Sequence, residues 1–110
     1  MMVTQEGIDA CYLALIVATS EYAKAAERAL NAKTVLDATR KLGLADGTIV
    51  GSNPDMREAD ARIKLSALYD EFEDSQVQER AARLGLDLAR ITVEHVKELL
   101  RLMEITAANG

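Results

Sequence analysis

The chain breaks its own pattern only once at length. Between Gly43 and Pro54 lie three of the six glycines and the sole proline. Long runs with almost no helix breakers flank this stretch on both sides. Glycine and proline are the strongest punctuators of regular structure, so the stretch reads as the connection of a helical hairpin. The pattern predicts one all-α domain over 1–110: a first arm 4–42, a connection 43–53 and a second arm 54–106. The expected architecture is an elongated antiparallel hairpin that assembles as an oligomeric helical bundle.

The first arm opens on Thr4, an N-cap type, with Glu6 in the first turn. Ile8, Tyr12, Leu15, Thr19, Tyr22, Ala26, Ala29, Lys33, Leu36 and Thr39 fall near helical spacing and predict its packed stripe. Gly43 is the expected C′ residue. Asn53 followed by Pro54 reads as an N-cap with proline at N1, and Ile49 or Val50 is expected to close the hairpin end. Ser75 and Gln78 match a capping box, so the second arm reads either as broken near 72–75, the preferred reading, or as one bent helix. Beyond it run two apolar rows. Val77, Ala81, Leu84, Leu88, Ile91 and His95 step by fours and threes, as a coiled-coil seam does. Ala82, Leu86, Ala89, Val93, Val96, Leu100 and Met103 run beside it.

Aromatics make up 4% of the residues and hydrophobics 49%. Few rings and many small aliphatics suit thin layers between helices rather than one deep core. Residues 10–18 are apolar all round, and such a helix needs neighbours on several sides. A hairpin cannot provide them. Another subunit is therefore expected, making the main partner a second copy in a dimer or tetramer. The expected interface residues are Leu13, Ile16, Val17, Gly85, Leu88, Val93 and Leu100. Gly85, among alanines, would let another backbone come close.

The net charge of −5 disfavours general nucleic-acid binding. Acidic residues are in excess only in the middle, where Asp70, Glu71, Glu73 and Asp74 cluster. Paired carboxylates can hold magnesium, but the first arm offers only scattered acids opposite, so a solvated face is the expectation. The lone Cys11 can form neither an intrachain disulfide nor a cysteine zinc site. His95 has no His or Cys partner, and no nucleophile–base signature occurs. No enzyme, cofactor or metal is expected. The apolar run 10–18 is too short to cross a bilayer, and it lacks the flanks of a secretion signal. The expectation is a cytoplasmic protein without membrane contact. Gly51, Ser52, Asn53 and Arg57 form the one candidate ligand site, a glycine turn at a helix start where free N–H groups can meet an anion, but without the P-loop lysine or a Rossmann context a structural turn is the expectation.

The run Gly47 to Ala59, with the later run Ile91 to Met103, resembles small helical proteins of tailed phages and prophages. The resemblance implies a phage origin and a role in phage DNA metabolism or in countering host defence. The leading expectation is a non-enzymatic oligomeric binding protein that takes a protein or small ligand, a host protein among them. Two alternatives stand beside it. One is an anti-defence protein that sequesters a nucleotide signal, using the turn, Arg57 or Arg62 and a tyrosine. The other is an accessory to single-stranded DNA or recombination, which would need a basic stripe with stacking aromatics.

Overall fold

The computed structural model describes residues 3–109. Three helices follow in order: α1 (Gln5–Asp46), α2 (Pro54–Lys64) and α3 (Ser66–Asn109). No described residue lies in a strand. No described helix is long and apolar enough to cross a membrane. The chain divides into two units, the first made of residues up to 23 with 80 onward, the second of 24–79.

In the first unit the opening half of α1 pairs antiparallel with the long remainder of α3. Ile8, Cys11, Leu15, Ala18 and Tyr22 are half-buried along α1. On α3 the matching row is Ala82, Leu86, Ala89, Val93, Val96 and Leu100, with Leu86, Val93 and Val96 buried. Both rows step by threes and fours, the spacing that keeps a seam facing one partner. This corrects the expected stripe of the first arm. Cys11 and Ala18 are inside, while Tyr12 and Thr19 flank the seam and are exposed. Small side chains at every second seam position let the two backbones approach closely; a tyrosine there would hold them apart. The other α3 row, Val77 to His95, is the one left outside.

In the second unit the rest of α1 packs on α2, the connection and the start of α3. Its core is Leu36, Ile49, Ala61 and Tyr69, with Leu65, Leu68 and Phe72 packed against it. Ala29 and Ser75 are buried as well. Burying a side chain the size of Leu36 or Ile49 contributes about 1.5–3 kcal/mol.

The cap predictions hold at both helix starts. The Gly7 amide donates to Thr4 Oγ1 at 3.0 Å, and the Met56 amide donates to Asn53 Oδ1 at 2.8 Å with Pro54 following at N1. Two boundary expectations fail. First, α1 does not stop at Gly43 but runs to Asp46, and the left-handed residue after it is Gly47, with φ +80°. Gly43 is instead a buried contact: its carbonyl accepts from the Ile49 amide at 2.9 Å, and a Cβ there would lie 2.6 Å from Ile49 Cδ1. Ile49 is buried and Val50 exposed, so Ile49 closes the hairpin end. Second, the second arm breaks at Leu65, not near 72–75. Ser75 caps nothing. Its hydroxyl donates to the Phe72 carbonyl at 2.7 Å inside a continuous helix. Leu65 takes a non-helical backbone conformation while its amide still reaches the Ala61 carbonyl at 2.8 Å. The break lets Ala61 on α2 and Tyr69 on α3 share one core cluster.

Gly51 sits where the connection meets α2. A Cβ there would lie 2.5 Å from the Arg57 backbone nitrogen, and backbone cannot swing aside as a side chain can. Gly51→Ala should lower unfolding free energy by about 1–3 kcal/mol, read by urea denaturation. The exposed neighbour Ser52→Ala should stay within about 0.5 kcal/mol of the parent.

Candidate functional site

The connection is held by side chains of α2. Asp60 accepts from the Val50 amide at 2.8 Å and pairs with Lys64 at 2.9 Å. Lys64 in turn donates to the Thr48 carbonyl, and Asp46 accepts from the Thr48 amide and hydroxyl. These bonds leave little of the turn free to receive a ligand.

The four predicted ligand residues do come together, but chiefly as a cap. Asn53 satisfies one orphan amide at the start of α2, with its side chain on Met56, and its carbonyl accepts the first helical bond, from Arg57 at 3.0 Å. Pro54 has no N–H to offer, and Asp55 places a carboxylate in the same turn. Ser52 donates to Met56 Sδ at 2.9 Å. Arg57 reaches back to the Gly51 carbonyl at 3.3 Å. An anion at this helix start would meet the Asp55 carboxylate and would find the Met56 amide already bonded.

A cavity of about 170 Å³ lies beside the cap, walled by Arg40, Leu44, Ile49, Pro54, Arg57, Glu58 and Ala61. Sequence reading missed Arg40 and Glu58, which come from different helices. Glu58 is the hub. It accepts from Arg40 at 2.6 Å and from the Tyr69 hydroxyl at 3.1 Å, and Arg62 lies 3.4 Å away. The Arg62 guanidinium also sits 4.8 Å over the Tyr69 ring, a favourable cation–π placement. Burial, then the bond to Glu58, pushes the Tyr69 hydroxyl above its usual pKa. Arg40 Nε is buried without a partner. Arg62 and Arg57, the cations expected to hold a nucleotide, are thus already engaged within the chain.

The acidic middle is engaged too. Glu71 accepts from Arg28 in a two-pronged contact at 2.8 and 3.0 Å, and Asp74 accepts from the same guanidinium at 2.8 Å. Glu73 lies 3.7 Å from Arg62. Three of the four clustered carboxylates therefore face cations of α1 and α2 rather than only water. Being well exposed, these contacts set register more than they add stability. No three His, Cys, Asp or Glu side chains among the described residues converge as a metal shell would require.

The larger candidate surface is in the first unit, whose two flanks differ. One flank is polar. A shallow groove of about 320 Å³ is lined there by Thr19, Tyr22, Ala23, Arg83, Leu86, Asp87 and Arg90. The other flank carries Ala10, Ala14 and Val17 of α1, and Gly85, Leu88, Thr92, His95, Leu99 and Leu102 of α3, with no acidic residue, lysine or arginine among them. An apolar hollow of about 450 Å³ between Val3 and the turns from Leu99 to Ala107 marks its end.

The seven predicted interface residues separate accordingly. Val17, Gly85 and Leu88 lie on the uncharged flank, and nothing stands within 4 Å of a Cβ built at Gly85. Leu13 is on the back of α1 and Ile16 toward the polar flank, both exposed. Val93 is a correction. It is 3% exposed and belongs to the seam within the chain, as does half-buried Leu100. The row that packs internally is the one with small residues at alternate seam positions, so its larger side chains face α1.

Comparison with known proteins returns no match: no family model, no curated protein and no solved structure matches the chain.

Asp60, with its Val50 amide and Lys64, and Glu71, with Arg28, are held below the usual carboxylate range. So is Asp46, through Thr48. Carboxylates with a folded pKa below the unfolded value stabilise above the unfolded pKa, and that contribution is lost as pH falls through the folded one. Urea midpoints should therefore be level near pH 7 and drop below about pH 4. Asp60→Asn should be less stable at neutrality and show a shallower acid drop.

Proposed function

We propose that this chain is a non-enzymatic helical binding protein that works as a self-associated assembly. One observation carries the reading. Eighteen large hydrophobic side chains are exposed among the described residues, against eight buried hydrophobic ones. Single exposed leucines are ordinary on protein surfaces; contiguous apolar area rimmed by polar residues marks an interaction site. The first unit supplies such an area: Leu84, Leu88, Ile91 and Leu102 recur along one side of α3, each more than half exposed.

A binding role also fits the state of the reactive side chains. Arg40 and Arg62 near the hairpin end are paired, and three of the four clustered acids pair with Arg28 or Arg62. His95 is exposed on the outer row of α3. The resemblance to small phage proteins suggests a setting in phage or prophage biology, with a host or phage protein as a second ligand. The nucleotide-sequestering alternative draws less support, because Arg57 and Arg62 are committed within the chain. The single-stranded DNA alternative would need a continuous basic stripe, whereas Arg90 and Lys97 each have an acid of their own helix within 4.0 Å.

Sedimentation velocity over a concentration series tests the reading. The expected result is a species of at least twice the 12.0 kDa chain mass at micromolar concentration. A single species of chain mass up to roughly 100 μM, where association would contribute less than about 5.5 kcal/mol, overturns it.

A further inference from the structure

Resting on that self-association, we infer that two copies meet through the uncharged flank of the first unit, α3 against α3, as a two-fold packing of helix pairs. The occupant follows from charge. The chain is 28% charged, yet on this side the α1 row Val3, Gly7, Ala10, Ala14 and Val17 and the α3 row Gly85, Leu88, Thr92, His95, Leu99 and Leu102 hold no carboxylate, lysine or arginine, and the first charge on the α1 row is Glu21, one turn beyond Val17. A strongly acidic or basic partner would leave its charges buried and unpaired there, at a cost of several kcal/mol per ion. A second copy brings the same uncharged surface. In a two-fold interface the same patch meets itself, so a face without formal charge is self-complementary, whereas a face of one sign would repel its copy. The polar flank is lined by Arg83, Asp87 and Arg90, charges that a dry two-fold interface would have to desolvate.

Shape agrees with charge. Leu88 and Leu102 project from α3 while Gly85 lies one turn from Leu88 with open space where its side chain would be. A large residue beside a gap allows the leucine of one copy to enter the glycine notch of the other. The area suffices. Two helices side by side are about 20 Å wide, and residues 81–102 span about 33 Å at 1.5 Å per residue. That gives roughly 650 Å² on each copy, close to the roughly 800 Å² per partner of a stable interface.

Two variants compared with the parent by sedimentation equilibrium decide it. Leu88→Glu places a carboxylate in the centre of the uncharged flank. Ile16→Glu places the same group on the other side of the unit, at an equally exposed aliphatic position. Circular dichroism checks that both keep parental helix content, as expected of exposed sites. Leu88→Glu should weaken dimerisation at least tenfold and Ile16→Glu less than threefold. A dimeric parent that is broken by Ile16→Glu but not by Leu88→Glu overturns the choice of face and leaves self-association standing. A dimeric parent indifferent to both overturns this face as well. A monomeric parent overturns self-association and the face together.

Discussion

Two helices that touch along a single line can bury only about two positions in every seven of each. That constraint governs this molecule. Nearly half its residues are hydrophobic, and a pair of helices cannot hide them all. The seam chosen is also the thinner of the two available on α3. Ala82 and Ala89 stand on either side of Leu86 on α3, and Cys11 and Ala18 alternate with Ile8, Leu15 and Tyr22 on α1. Small residues bring the backbones near and gain dispersion contacts along their whole length. The bulkier row, Leu84, Leu88 and Ile91, is left for something else.

The hairpin end works under a different rule. There the chain must reverse, and a turn has backbone groups that no helix satisfies. Their partners are supplied locally: Asn53 for the start of α2, Asp46 and Asp60 for the connection, Ile49 as the apolar plug over Gly43. The second unit is consequently richer in directed contacts, and every cross-helix ion pair in the chain that involves Arg28, Arg40 or Arg62 falls within it. The first unit relies on seam packing; among the described residues its two ion pairs, Arg90 with Asp87 and Lys97 with Glu94, are local to α3.

What sequence could and could not show follows from range. Caps are local, so Thr4, Asn53 and Pro54 were readable from spacing alone. The all-helical class was readable from the distance between breakers. Gly43 misled because a glycine near a helix end can terminate it or admit a neighbour, and only the position of Ile49, six residues on, decides which. Leu65 gave no signal because its break serves a tertiary cluster of Ala61 and Tyr69, not a local preference. The choice between the two α3 rows was equally hidden. Both had heptad spacing, and the deciding factor was the closeness that alanines on both helices permit. The Glu58 hub was out of reach for the same reason: Arg40 and Tyr69 flank it in space from other helices.

The glycine turn looked like an anion site because free amides and a nearby arginine are what such sites contain. Folding uses those donors first. Asn53 takes the Met56 amide, Gly51 takes Arg57, and Glu58 takes Arg40 and Arg62. The residue left over is Arg40 Nε, buried without a partner against the small cavity. A buried donor left unpaired costs about 1–3 kcal/mol, and the adjoining cavity of about 170 Å³, with Arg57 and Glu58 also in its wall, has room for water to satisfy it. Polar groups at the hairpin end are thus consumed in holding the fold, while the apolar row of α3 is consumed by nothing within the chain. Under the binding role proposed above, recognition falls to the leucines of that row.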